Sequence, residues 1–508
     1  MSKTKAVAEF GDFQTPTGLA RVACALLARR RLRPAALLEP TCGLGNFLFA
    51  GLDQFQGVKA AIGAEINPYY VEQAEAALRQ RGGDDRVRLV EADFFVTDWK
   101  NVIDDLPKPV LVLGNLPWVT NAHLGTLGSQ NLPAKSNFQN RTGFDAITGK
   151  ANFDISEWML IRLLEAMDGG QDALAVLCKS SVARKALYHA WKNGIALRKS
   201  AVYRIDADLY FGAAVDAALL VTHFEPGAHD LEAKVYTDLK DDAMETVFGY
   251  EDGMLLADIP AYQRWKHLCG EGEVSWRSGI KHDCSKVMEV LREGGKYRNG
   301  LGELVELEDS CVYPMLKSSD VVNGGPRNGN RCMLVTQKTV GEDTASIEVR
   351  SPKTWAYLKA HTDLLSKRGS SIYRNRPEFS VFGVGDYSFA PWKVAISGFY
   401  KKLVFTTIGP VDGKPVVLDD TSYFLPFQTK DQAQYAARLL NSPAAHSFYN
   451  AFVFWDSKRP ITADLLRRLD LRRLAKELGL EEEFNACFGT QEDVHSSVGT
   501  SVQREFWT

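Results

Sequence analysis

The sequence predicts an α/β fold: a parallel sheet wrapped by helices, followed by a region of mixed α+β character. Short apolar runs alternate with helix-period stretches through the first half of the 508 residues, the pattern of right-handed βαβ crossovers. After about residue 226 the alternation stops and Gly-, Asn- and Ser-rich stretches such as VVNGGPRNGNR appear between short β-like runs. Helical patterns return only near the end, in DQAQYAARLLNS and TADLLRRLDLRRLAKEL.

Taken in order, FQTPTGLARVACALLARR reads as a helix with Thr15 as N-cap and Pro16 in its first turn. AALLEP (35–40) is a short strand, and GNFLFAGL opens a helix after a glycine turn. AAIGAEI (60–66) is the second strand, VRLVEAD (87–93) the third and VLVLGN (110–115) the fourth, with YYVEQAEAALRQR a helix between the second and third. DISEWMLIRLLEAM (154–167) is amphipathic, and ALAVLCKS (173–180) is the fifth strand. AVYRID (201–206) and AALLVTHF (217–224) complete the sheet. The expected domains are 1–226, 227–485 and a mobile tail, 486–508, rich in small polar residues.

Hydrophobic residues make up 45% and charged residues 24%, an ordinary soluble balance, and the net charge of -3 does not by itself announce a polyanion partner. The eight cysteines form no CxxC pair, which argues against zinc or a disulfide framework and for a reducing cytoplasm. The first residues lack an apolar signal segment, and no apolar run approaches the roughly 18 residues of a membrane span.

The first four strands end in polar acceptors: Glu39, Glu65, Asp93 and Asn115. In an open parallel sheet, ligands bind beyond the carboxyl ends of the strands, so these four line one crevice. The turn EPTCGLGNF brings Thr41, Cys42, Gly43 and Gly45 to it, and glycine lets backbone approach a ligand closely. Glu65, 20 residues past Gly45, is placed to accept both hydroxyls of a ribose. That suits a dinucleotide or S-adenosylmethionine equally. Leu48 stands where a dinucleotide fingerprint has its third glycine, which weakens the nicotinamide dehydrogenase reading. Asp93 falls where an adenine amino group needs an acceptor, with Phe94 and Phe95 beside it to stack.

GNLPW (114–118) then acquires a purpose. An exocyclic amine on a base is a poor nucleophile because its lone pair is delocalised into the ring. The Asn115 side-chain oxygen and the Leu116 carbonyl can accept its two hydrogens and localise that pair. Pro117 restricts Leu116 to extended conformations, and Trp118 offers a flat face for stacking.

These motifs resemble, in order, those of the amino-methylating DNA methyltransferases, specifically the gamma-class adenine-N6 enzymes of type II restriction–modification systems. FQTP (13–16) is similar to the segment that closes over the methionine part of the donor, and EPTCGLGNF to the donor loop. AEIN (64–67) is similar to the ribose motif, ADFF (92–95) to the adenine motif and GNLPW to the catalytic motif, with Leu116 where the family has its first proline. The later core motifs are matched by LAVLCKSSVARK and YFGAAVDAALLV. WRSGIKHDCSKVMEV, VYPMLKSSD, LVTQKTVGEDT and the stretch from Ile372 to Lys402 are similar to the family's target-recognition halves.

The resemblance implies a Rossmann-like S-adenosylmethionine-dependent catalytic domain and a C-terminal target-recognition domain. It implies S-adenosyl-L-methionine as donor, double-stranded DNA as partner and a cognate restriction endonuclease encoded separately. It also implies that Phe211 or Tyr210 wedges the second face of a flipped base. Lys367, Arg368, Arg374 and Arg376 with Tyr373, a stretch without an acid, suit phosphate contacts and stacking, and Lys393, Lys401 and Lys402 follow. His282, Asp283 and Cys284 lack ligand spacing and are expected to pack or face solvent, so no metal is expected. No nuclease constellation is expected, nor a cleavage domain ahead of the first motif. The competing readings are methylation of RNA adenine or of a protein glutamine, a cytosine-N4 enzyme (disfavoured by Asn115, where those carry serine), and a non-catalytic DNA-binding modification subunit.

Overall fold

The computed structural model describes residues 14–118 and 154–489, apart from positions 241, 271, 273, 274 and 326–328. The chain forms two compact units, 1–259 and 260–508.

The first unit is built on a ten-stranded sheet. Its strands are β1 (Ala36–Glu39), β2 (Ala60–Glu65), β3 (Val87–Glu91), β4 (Val110–Asn115), β5 (Ala173–Lys179), β6 (Leu197–Ile205), β7 (Ala217–Phe224), β8 (Glu232–Tyr236), β9 (Met244–Glu251) and β10 (Met254–Leu256). Across the sheet they run β3-β2-β1-β4-β5-β7-β6-β8-β9-β10. β3, β2, β1, β4 and β5 are parallel neighbours. Their interiors are apolar because helices cover both faces, and Leu37, Leu111, Leu113, Ala175 and Leu177 share one core cluster. Among the described helices are α1 (Thr17–Arg29), α2 (Asn46–Gln54), α3 (Pro68–Gln80), α4 (Trp99–Asp104), α5 (Ile155–Met167) and α6 (Ser180–Lys192). β1 lies between β2 and β4, so the chain leaves its carboxyl end at a topological switch point, where such sheets bind ligands. Asp172, almost fully buried, accepts from the Val110 N–H at 2.7 Å and from Lys108 at 2.8 Å. It thereby fixes where β4 begins.

In the first unit three expectations need correction. β7 is antiparallel to both β5 and β6. Residues 206–216 are too few for the crossover of a dozen or more that parallel neighbours require, so the chain turns back into the gap between them. The sheet also continues past residue 226: β8 joins β6, and β9 and β10 extend the edge. The Gly- and Asp-containing turn after Phe224 is a local connection, and the division between units falls at Ile259. Finally, Thr15 does not cap α1; Pro16 occupies the N-cap position, without a side-chain bond.

The second unit is α+β. A four-stranded antiparallel sheet contains Arg277–Ser278, Ser422–Phe427, Trp392–Ser397 and Thr406–Ile408 in spatial order. A six-stranded mixed sheet is built around Glu289–Glu293 and Arg331–Leu334. The helix Lys430–Leu440 starts on a reciprocal Thr429–Gln432 cap. The expected long helix beyond Thr462 is two, Ala463–Leu466 and Leu471–Glu477, because the Asp470 carboxylate takes the Arg472 and Arg473 N–H groups and begins a new helix. The expected tail starts inside the helix Glu481–Phe488; from residue 490 it lies outside the described residues. Among the described residues no helix is long and apolar enough to cross a membrane.

Lys393, in the strand Trp392–Ser397, is 1% exposed. Its ammonium donates to the Ala390 carbonyl at 2.6 Å and lies 5.7 Å from the Phe424 ring. Burial lowers its pKa to about 7. The unfolded chain holds this proton up to about pH 10.4, so between pH 7 and that value the unfolded state binds more protons and stability rises with pH. Below pH 7 the penalty of burying the charge is fully present. Lys393→Met, similar in volume, is expected to stabilise the protein at pH 7 by on the order of 4 kcal/mol, at about 1.4 kcal/mol per pKa unit. Denaturant titrations at pH 7 and pH 10 check this. The variant's gain should shrink at the higher pH, and an equal gain at both would contradict the assignment.

Candidate active site

The glycine turn between β1 and α2 is shaped by two left-handed residues, Gly43 (φ 51°) and Gly45 (φ 77°). A Cβ at Gly45 would lie 2.9 Å from the Phe49 ring, and one at Gly43 would lie 2.5 Å from Gln14 Oε1. The 14–16 segment lies along this turn. Gln14 Oε1 accepts from the Leu44 N–H at 3.1 Å, and the Asn46 amide donates to the Thr15 carbonyl at 2.8 Å. Thr15 is buried, and Pro16 leads directly into α1. Gln14 and Asn46 are parts of the site that sequence reading did not single out. The glutamine inside the quoted FQTP was the available signal.

Glu65 closes the turn from the end of β2. One carboxylate oxygen accepts from the Gly43 N–H and the other from the Asn67 N–H, both at 2.9 Å. A carboxylate offers about four acceptor positions, the chemistry that a ligand's paired hydroxyls require. Glu39 differs from the expectation of an open acceptor. It is 3% exposed and accepts from the Leu48 N–H at 2.9 Å. Burial pushes its carboxyl well above the usual carboxylate range, and the nearby charge of Glu65 pushes the same way. Glu39 therefore braces the start of α2 from inside. Cys42 is buried, and its N–H donates to the Ala64 carbonyl at 2.8 Å.

Beyond β3, Asp93 Oδ1 accepts from the Phe95 N–H at 2.8 Å, and the Ala92 N–H joins the turn to the Glu65 carbonyl at 2.9 Å. Phe94 turns inward: it is 6% exposed and packs 4.9 Å from Trp99 and 6.3 Å from Trp158. Phe95 is the less buried of the pair, 5.3 Å from Trp158 on α5. Trp158 was not expected here, because helix periodicity reads it as ordinary core. A cleft of about 420 Å³ opens beside this turn, lined by Phe94, Phe95, Trp99, Trp158 and Arg162 among others. Glu39, Glu65, Asp93 and Asn115 do not line it.

The turn after β4 lies next to the glycine turn. The Thr41 hydroxyl donates to the Asn115 carbonyl at 3.2 Å. Gly114, at φ 146°, faces Glu39, where a Cβ would meet the Glu39 Cγ at 3.2 Å. The Leu116 N–H reaches the Leu177 carbonyl at 3.4 Å and holds the turn against β5. Leu116 and Trp118 are buried, and Asn115 and Pro117 are half-buried. The Trp118 ring stands edge-on to Phe211 at 5.0 Å between centroids and 67° between planes. That contact leaves no space for a third ring between them. At the far side of the turn, Lys179 donates to the Trp118 carbonyl at 3.4 Å and pairs with Asp154.

In the second unit, the basic stretch divides. Lys367, Arg374 and Arg376 are exposed. Arg368 is not an open cation: its guanidinium lies 3.8 Å over the Tyr373 ring and donates to the Leu365 carbonyl at 2.8 Å and the Ser380 carbonyl at 2.6 Å. Burial pushes its pKa down and that of Tyr373 up. This pair is internal structure. Lys401 and Lys402 are exposed, whereas Lys393 is core. His282 is buried and accepts from the Cys284 N–H at 3.2 Å.

No family model matches the chain. It is 44% identical over 480 residues to the Type II methyltransferase M.NspV of Nostoc sp. (strain ATCC 29411 / PCC 7524), covering 94% of this chain and 98% of that protein. Among solved structures it is similar to the Type IIL restriction-modification enzyme MmeI in complex with DNA, with a TM-score of 0.51 at 13% identity. That match covers 89% of this chain and 64% of the MmeI chain.

The buried Glu39 generates a pH dependence. Its raised pKa means that the folded state keeps a proton which the unfolded state releases as pH rises through its ordinary value near 4.5. Stability therefore falls with rising pH above that value. Glu39→Gln is expected to raise the melting temperature at pH 8 by about 2–4 °C for each kcal/mol relieved, with the gain vanishing at pH 4. Scanning calorimetry across that range checks the sign, and a gain that grows toward acid pH would contradict it.

Proposed function

The chain belongs to the type II methyltransferases, with S-adenosyl-L-methionine as donor, and from that premise we propose that it methylates the N6 amino group of adenine at specific sites in double-stranded DNA. The observation that carries this reading is the bond between the two turns. The Thr41 hydroxyl on the Asn115 carbonyl ties the turn bearing the proposed nucleophile-binding amide to the turn bearing the proposed donor loop.

The residues present fit the donor. Glu65 presents a carboxylate of the kind that ribose hydroxyls bind, Asp93 stands just beyond β3 for an adenine amine, and Gly43 and Gly45 bring no side chains to the turn. Bound S-adenosylmethionine supplies an electrophilic methyl group. Asn115 Oδ1 and the Leu116 carbonyl accept the two hydrogens of the target amine and draw its lone pair out of the ring. The amine nitrogen forms its bond to the methyl carbon as the carbon–sulfur bond breaks, and the extra proton passes to water. Pro117 keeps the Leu116 carbonyl extended. Catalysis is then mostly positioning and fixed dipoles.

Trp118 and Phe211 touch edge to face, so an adenine entering between them parts the rings and regains the lost contact by stacking. Unstacking that base from the duplex costs a few kcal/mol. Lys367, Arg374, Arg376, Lys401 and Lys402, the exposed cations of the basic stretches, are the proposed phosphate contacts in the second unit. A separately encoded nuclease of matching specificity is the proposed biological partner.

Unmethylated DNA treated with the wild type and digested to nucleosides is expected to yield N6-methyladenine. Asn115→Ala should bind donor with unchanged affinity and lose transfer by roughly 10²–10³-fold. N4-methylcytosine as the product, or a variant that transfers at the wild-type rate, would overturn the reading.

A further inference from the structure

We infer that Lys179, held by Asp154, is a positioning residue for the catalytic turn. This inference rests on the function proposed above. The turn leaves β4 at Asn115 with its first peptide fixed on two sides, by the Thr41 hydroxyl on the Asn115 carbonyl and by the Leu116 N–H on the Leu177 carbonyl. The Leu116 carbonyl, one of the two proposed acceptors for the target amine, comes next. A turn fixed only at its start would let that carbonyl swing.

The second anchor is the Lys179 ammonium on the Trp118 carbonyl. Lys179 is the last residue of β5, the strand that pairs with β4 through Asn115 and Leu177. Its side chain thus rises beside the turn from a rigid element. At 3.4 Å the contact is at the long end of hydrogen-bond reach, but the donor carries a full charge in a half-buried setting, where charge–dipole attraction is strengthened. The side chains of Lys179 and Asp154 are only 21% and 11% exposed.

Asp154 is fixed in turn. It is the N-cap of α5, accepting from the Ser156 N–H at 3.2 Å. The relay therefore runs from the end of one helix, through an ion pair, to the carbonyl of the residue proposed to stack on the target base. An ion pair serving stability alone would need no contact with the turn. Lys179 reaches both oxygens, one on the turn and one on Asp154, from the last position of β5.

Four variants test this on the full chain with duplex DNA: Lys179→Met, Lys179→Arg, Asp154→Asn and the double variant Lys179→Met with Asp154→Asn. Donor affinity, DNA affinity, melting temperature and turnover are measured for each. Lys179→Met is expected to lower kcat by roughly 10–100-fold, the usual cost of losing a supporting residue behind a site, while both affinities stay within twofold. Lys179→Arg should recover most of the rate. Asp154→Asn combined with Lys179→Met should be no slower than Lys179→Met alone, because both act through one amine.

Turnover of Lys179→Met within twofold of wild type would overturn the inference. So would a rate loss matched by equal losses of donor binding and melting temperature, which marks a purely structural pair. If Lys179→Met does not fold, Asp154→Asn decides: a fall in kcat with donor affinity kept supports the relay, and an unchanged kcat refutes it. The wild-type product, scored as N6-methyladenine in the same assay, tests the underlying function separately.

Discussion

The position of β1 between β2 and β4 is the constraint from which the site follows. Parallel strands must be crossed by helices, and at the point where the strand order reverses two crossovers diverge and leave a crevice. Three of the groups proposed for chemistry each end a strand of this sheet. Glu65 ends β2, Asn115 ends β4 and Lys179 ends β5. The Gly43–Glu65 and Thr41–Asn115 bonds then turn three strand ends into one unit. Losing the alignment of any one strand would move the carboxylate or the carboxamide by a whole residue, more than a methyl transfer tolerates.

Two buried titratable groups show how differently the units use polarity in their cores. Glu39 sits under the glycine turn with a backbone N–H on its carboxyl, and burial favours its neutral form. Placed as it is behind Gly114, it supports the turn after β4 as well as α2. Lys393 sits in an antiparallel strand with its ammonium on the Ala390 carbonyl, and burial brings its pKa near neutrality. The first has a clear place behind the site. The second tunes stability of the other unit.

Much of the first unit was legible because its strands are short buried runs that end in a polar residue and a turn. The five parallel strands, the glycine turn and the Asn115 turn all fell where the pattern put them. The reversal of β7 was missed although the shortness of residues 206–216 carried it. β8 to β10 were missed because a turn composition resembles a domain linker until the strand pairing is known. Residues that act across sequence distance were the least legible. Gln14 on Leu44, Trp158 beside Phe95, and Lys179 with Asp154 meet only in the folded chain. In the basic stretch, sequence could not tell Arg374 and Arg376, which face solvent, from Arg368, which lies on Tyr373. A cation and an aromatic five residues apart satisfy each other as readily as they satisfy a nucleic acid.

The central claim is that one crevice holds a methyl donor against Glu65 and a purine amine against Asn115. A crystal structure with a donor analogue and a duplex containing the recognition site would test it most directly. The account predicts ribose hydroxyls on the Glu65 carboxylate and an extruded adenine whose amine contacts Asn115 Oδ1 and the Leu116 carbonyl. Its amine nitrogen should lie about 3–3.5 Å from the position of the transferable methyl. A donor bound elsewhere, or an adenine left stacked in the duplex with Trp118 still packed against Phe211, would contradict it.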